Sequence, residues 1–139
     1  KVLRALQEHK IQKVGSEKDL VVDVRIIAAT NKNLKKEIKN GKFREDLYHR
    51  LAVIEMNVPP LNERRSDIPL LSDYFLSQIA IDNSDDEKGI DNKALKKLQN
   101  FDWSGNVREL RNVIERLVIL SEGPVISQDD VINFSNKSW

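Results

Sequence analysis

The stretch Val24-Arg25-Ile26-Ile27-Ala28-Ala29, closed by Thr30-Asn31, decides the fold. Apart from Arg25 its first six residues are apolar, partly β-branched, and do not alternate with polar positions. That pattern predicts a strand buried on both faces, as in a parallel sheet. Ligands of open α/β sheets sit outside the carboxyl ends of strands, which places Asn31 at such a crevice. An amide donates and accepts hydrogen bonds, so it suits orienting a water or reading a phosphate oxygen. Asparagine also ends strands and caps helices, and residue type does not separate these roles.

Working outward, Val2, Leu3, Leu6 and Ile11 among polar neighbours predict an amphipathic helix over roughly 1–11. Residues 15–19, between Val14 and Leu20-Val21-Val22, read as the loop of a hairpin. Downstream, 34–40 reads as a short helix stopped by Gly41, 43–51 as another, and 52–58 as a second buried strand. Pro59-Pro60 then breaks the chain and divides it into domains 1–60 and 61–139. Beyond it, Ser66 is placed to cap a helix containing Ile68, Leu70, Leu71, Tyr74, Phe75, Leu76 and Ile79. A polar loop over 82–89 precedes helices at about 91–100 and 106–121, and Ser127-Gln128-Asp129-Asp130 opens a last one. A strand-bearing half thus precedes an all-helical half, which is an α/β class with a helical second domain.

Composition narrows the function. With 40% hydrophobic and 32% charged residues the chain has the make-up of a soluble globular protein. It has no cysteine, which excludes disulfides, thiolate metal sites and a cysteine nucleophile. No apolar run approaches the roughly 18 residues of a membrane helix, and the opening KVLRALQEHK is no signal peptide, so a cytoplasmic, membrane-free location is expected. A start at Lys1, inside a predicted helix, reads as a fragment. Residues 1–60 carry thirteen Lys/Arg against eight Asp/Glu, and the rest ten against fourteen. An anion site on the first half fits that asymmetry, and so do ordinary solvated faces. Neither His9 nor His49 has a partner at metal-ligand spacing, so no metal site is expected. There is no G-x-S-x-G, and Gly41-Lys42 makes no phosphate loop, because Phe43 follows and Lys36 stands where the first glycine belongs.

Three arginines stand out. Arg44 and Arg50, six apart on a predicted helix, lie about 240° round from each other and cannot share one ordinary partner. Arg50 near the helix end suits the dipole, whereas Arg44 has no such reason. After Asn106, read as a cap, Arg108 falls in the first turn, where a cation opposes the dipole by about 0.3–1 kcal/mol unless an anion is bound. The buried stripe of that helix is predicted as Val107, Leu110, Ile114, Leu117 and Val118. Its polar face, Arg108, Arg111, Asn112 and Arg116, also offers a DNA-reading helix, although Glu109 and Glu115 interleave with it. A passive protein-interaction module is the other alternative.

In order, the segments LRALQEHKIQKVG, VDVRIIAATNKNL, FREDLYHRL, VPPLNERRSDIPLL and GNVRELRNVIERLVILSEG closely resemble the sigma-54-dependent transcriptional activators. These are the bacterial enhancer-binding branch of the AAA+ ATPases. The resemblance implies the C-terminal part of an AAA+ parallel-sheet subdomain followed by an all-helical lid. It further implies that Thr30 and Asn31 sense the terminal phosphate and that Arg44 and Arg50 supply arginine fingers to a neighbouring subunit. Arg108 would be the lid arginine facing the nucleotide of its own subunit. ATP, Mg²⁺, a self-associated ring, sigma-54 RNA polymerase and a separate DNA-binding domain belong to the intact parent. Its phosphate loop, Mg²⁺-holding acidic motif and sigma-54-engaging loop are expected upstream of Lys1, so this chain alone should neither hydrolyse ATP nor bind it tightly. Two departures from the pattern are Ser104, where proline usually precedes Gly-Asn, and Asn62, where arginine is frequent.

Overall fold

A computed structural model describes residues 2–16 and 18–136. It divides into two units, Lys1–Asn57 and Val58–Trp139. In the first, helix α1 (Val2–Glu8) leads into an antiparallel hairpin of β1 (Lys10–Gln12) and β2 (Asp19–Val21). The register pairs Lys10 with Val21, Ile11 with Leu20 and Gln12 with Asp19. The helix stops short of the predicted 1–11 because His9 turns left-handed at φ 52° and the hairpin claims Lys10 to Gln12. The Val22 N–H donates to the His9 carbonyl at 2.8 Å and extends that ladder. Strand pairing here outweighs the helical spacing of Ile11.

Helix α2 (Leu34–Lys39) is capped by Asn33, whose Oδ1 accepts from the Lys36 N–H at 3.0 Å. At its other end Gly41 takes φ 68°, and the Lys42 and Gly41 amides donate to the Glu37 and Ile38 carbonyls at 2.8 and 2.9 Å. That pair of bonds is a Schellman ending, the reason glycine stands there. Helix α3 (Glu45–Leu51) follows after a few residues and packs on α1.

The two predicted buried strands do not form. Residues 23–30 and 53–58 have no strand partner, and Ile27, Val53 and Met56 are about four-fifths exposed (79%, 80% and 83%). Parallel strands need neighbours delivered by long crossovers. The described residues offer these two segments no strand to pair with.

The second unit is a helical bundle. Two 3₁₀ turns, Leu61–Glu63 and Arg65–Asp67, lead into α4 (Ile68–Asn83). Proline in the first turn of α4 loses nothing, since its missing N–H would have no helical partner. Ser66 is not the cap: Asp67 holds that position without a side-chain bond. Helices α5 (Asn92–Gln99), α6 (Asn106–Leu120) and α7 (Gln128–Asn136) close the bundle. The core takes Ile68, Phe75, Leu76 and Ile79 from α4, Ala94 and Leu98 from α5, and Leu110, Val113, Ile114 and Leu117 from α6, with Leu61, Trp103, Ile126 and Val131. Val107 and Val118, predicted in the buried stripe of α6, are partly buried against that core, and Val113 joins it.

This half is not wholly helical. Strands β3 (Gly89–Ile90) and β4 (Val125–Ile126) form a two-stranded parallel sheet that ties the loop after α4 to the approach to α7. Two-residue strands leave no periodicity to read.

The start of α7 is a reciprocal cap. The Ser127 N–H donates to Asp130 Oδ2 at 2.8 Å, and the Asp130 N–H donates to Ser127 Oγ at 3.3 Å. Ser127→Ala should therefore destabilise the unit by about 1 kcal/mol. The check is a urea midpoint that falls with unchanged slope; an unchanged midpoint would contradict it. The Ser127 donors hold the Asp130 carboxyl below its ordinary range. A depressed folded-state value means that this stabilisation is present at neutral pH and is lost as acid protonates Asp130. The difference between parent and variant should accordingly shrink below about pH 4.

Candidate functional site

Thr30 and Asn31 sit on an exposed turn rather than at the end of a buried strand. Thr30 Oγ1 accepts from the Lys32 N–H at 3.1 Å, and the Asn31 side chain faces solvent. The pair is adjacent, but the crevice expected beside it is not formed by the described residues.

Arg44 and Arg50 stand at the two ends of α3. Arg44 is not on the helix but at its cap position, extended at φ −80° and ψ 131°. It also has the partner that sequence spacing left unassigned: its Nε and Nη2 donate to the two Asp46 oxygens at 3.0 and 2.6 Å. These bonds raise the Arg44 guanidinium above its ordinary value and hold the Asp46 carboxyl below the usual carboxylate range. The pair is open to water, where such contacts contribute little and exchange readily. Arg50, in the last turn, is exposed and makes no ion pair among the described residues. Beside it His49 Nε2 lies 3.8 Å from Glu45 Oε1, and the Tyr48 hydroxyl donates to Glu55 Oε1 at 2.6 Å.

In the second unit, Arg108 occupies the first turn of α6. Asn106 does not cap this helix through its side chain. It is left-handed at φ 56°, and its Oδ1 accepts from the Leu61 N–H at 2.8 Å. Gly105 holds the cap position, and its N–H donates to Glu109 Oε2 at 2.8 Å, which folds the first turn back on itself. A Cβ at Gly105 would meet the Glu109 Cβ at 2.8 Å, so only glycine fits without a shift.

Arg108 is exposed and has no counter-ion among the described residues. With Asn112 and Arg116, at four-residue steps on one helix face, it lines an open depression of about 680 Å³ that also takes in Phe134 of α7. Arg111 points elsewhere, 3.9 Å from Asp82, which divides the polar face that a DNA-reading helix would present. Glu109 also lines the depression, its carboxylate accepting from the Gly105 N–H, so the Arg108 and Arg116 guanidiniums there face one carboxylate. No group of three or more His, Asp or Glu among the described residues is arranged to hold a metal ion.

Spacing did not reveal the clasp around Asn62 and Arg65. Asn62 accepts from the Trp103 N–H at 3.0 Å and donates to Asp102 Oδ1 at 2.6 Å. The only signal in the sequence was that Asn62 departs from the family pattern.

Residues 62–137 match the AAA+ ATPase lid domain and residues 1–57 the Sigma-54 interaction domain. The chain belongs to the AAA+ domain of the sigma-54-dependent transcriptional activators. It is 47% identical over 131 residues to the transcriptional regulatory protein ZraR of Salmonella typhimurium, covering 94% of this chain and 30% of that protein. To the nitrogen fixation protein AnfA of Azotobacter vinelandii it is 51% identical over 126 residues, covering 91% of this chain and 24% of the other. The crystal structure of NtrX from Brucella abortus in complex with ATP superposes with a TM-score of 0.83 at 43% identity, over 94% of this chain and 30% of NtrX. The α/β class with a helical lid therefore stands, although residues 24–29 and 52–58 are unpaired here. The chain spans under a third of the length of these relatives.

Proposed function

We propose that the chain supplies the nucleotide-sensing and inter-subunit parts of an ATPase that activates sigma-54 RNA polymerase in the bacterial cytoplasm. Residues 1–60 are the end of the α/β subdomain and 61–139 its lid. The observation that carries this reading is Arg108, an exposed guanidinium in the first turn of α6 without a counter-ion among the described residues. Both the charge and the place suit the phosphates of a nucleotide bound in the same subunit. ATP supplies the phosphoryl group whose hydrolysis drives the remodelling of polymerase.

Each side chain has a distinct task. Arg108 donates to phosphate oxygens and couples the lid to the nucleotide. Asn31, with both donor and acceptor, orients a water or a terminal phosphate oxygen beside Thr30. Arg50, and Arg44 once released from Asp46, reach a neighbouring subunit and stabilise charge on the transferring phosphoryl group. Catalysis of this kind requires a ring of subunits. Phosphate-cradling and Mg²⁺-holding residues are not assigned to this chain, and alone it does not bind Mg-ATP tightly. DNA is held by a separate domain of the whole protein.

In the whole protein, Arg108→Ala should weaken ATP binding about tenfold, since a hydrogen bond to a charged group contributes about 1.5–3 kcal/mol. Fluorescent nucleotide titration reads this directly. Unchanged affinity would return Arg108 to the solvated surface.

A further inference from the structure

We propose that Asn62, Arg65 and Asn106 are positioning residues for Arg108, fastening the segment 61–65 to the start of α6 so that the guanidinium moves with that segment. The inference rests on the reading of Arg108 as a nucleotide contact. Segment 61–65 lies just beyond the boundary between the two units, at Asn57 and Val58.

Three fastenings converge on the few residues before Arg108. The Leu61 N–H donates to Asn106 Oδ1 at 2.8 Å. Asn62 joins both Asp102 and the Trp103 amide, and its Oδ1 also accepts from Arg65 Nη2 at 3.3 Å. Arg65 Nη1 donates to the Phe101 carbonyl at 2.6 Å and to the Gln99 carbonyl, while Gln99 Nε2 returns a bond to the Arg65 carbonyl at 3.2 Å. A guanidinium at the carbonyl end of α5 is also the sign that the helix dipole favours. Apart from Gln99, the last residue of α5, every residue up to Asn106 that meets this clasp lies in the connection into α6 or at its first position.

Asn106 shows that the arrangement has a cost. A left-handed conformation is unfavourable for any residue with a Cβ, and asparagine is among the few that tolerate it. Its side chain would ordinarily cap the helix, yet here it is committed to Leu61. The forgone cap and the strained backbone are explained if holding 61–65 to this helix start matters more than either. Arg108 is two residues further on, with no side-chain partner among the described residues to set its place.

A double-mutant cycle on ATP affinity in the whole protein tests this. Asn62→Ala should weaken binding about tenfold, as ångström-scale misplacement does, and should cost nothing further once Arg108→Ala is present. If the alanine variant does not fold, Asn62→Asp serves: it keeps the acceptor toward Trp103 and Arg65 and replaces the bond to Asp102 with two facing carboxylates. Adding Asp102→Asn should restore affinity. Equal losses in both Arg108 backgrounds, or normal affinity in Asn62→Ala while Arg108→Ala is impaired, would overturn the positioning role and leave the reading of Arg108 intact. Normal affinity in Arg108→Ala would remove both.

Discussion

Trp103→Ala should cost the second unit about 3–5 kcal/mol, a large share of the stability of a unit of this size. Trp103 is 2% exposed and packs against Phe101 with ring centroids 5.9 Å apart. Its indole N–H donates to the Leu98 carbonyl at 3.0 Å, at the open end of α5. Alanine therefore leaves a cavity and takes one donor from the Leu98 carbonyl, which still accepts from the Phe101 N–H at 3.2 Å. Trp103→Phe keeps most of the volume and loses the N–H, so it should cost about 1–2 kcal/mol. Urea denaturation followed by circular dichroism separates the two. An alanine variant with a midpoint near the parent's would show that the core does not centre on this residue.

Arg50→Ala is expected to lower the ATPase rate of the whole protein about 10³-fold or more, with ATP affinity nearly unchanged. Arg50 is free to leave its own subunit, because nothing among the described residues holds its guanidinium. On the role proposed for Arg50, alanine removes a group that would act on charge developing in the transition state, so the rate should fall while binding holds. Arg44→Ala should cost less, since part of its charge is already committed to Asp46. Single-turnover measurement with saturating ATP reads the chemical step apart from binding. Equal weakening of ATP affinity and rate would instead place Arg50 at a binding surface.

The helical half was legible wherever local chemistry decided the structure. Ser127 and Asp130 announce the cap of α7, and the apolar spacing of Leu110, Ile114 and Leu117 gives α6 its buried side. Gly41 ends α2 as its residue type requires. What failed depended on distant partners. The apolar runs at 24–29 and 52–58 have the composition of buried strands, but a strand exists only with a neighbour, and the described residues hold none for them. Ile11 fitted a helix until the hairpin register with Leu20 claimed it. Asn106 looked like a cap because asparagine before an amphipathic run usually is one; its actual bond spans 45 residues and no local pattern encodes it.

The site divides in the same way. Residue type and helix position singled out Arg108, and its exposed, unpaired state at the start of α6 agrees with the anion-facing role proposed for it. The partner of Arg44 was missed because a two-residue separation does not bring side chains together on a helix, and Arg44 lies just before one. The clasp of Asn62 and Arg65 joins residues 34 to 41 apart and had no signature at all.

The most direct test of the central claim is the ATPase rate per subunit of the whole protein, measured against protein concentration, with Arg50→Ala alongside. Catalysis completed by a neighbour's arginine predicts a rate that rises steeply as subunits assemble and is absent in the variant at every concentration. A rate per subunit that stays constant across the assembly range and is indifferent to Arg50 would contradict the account.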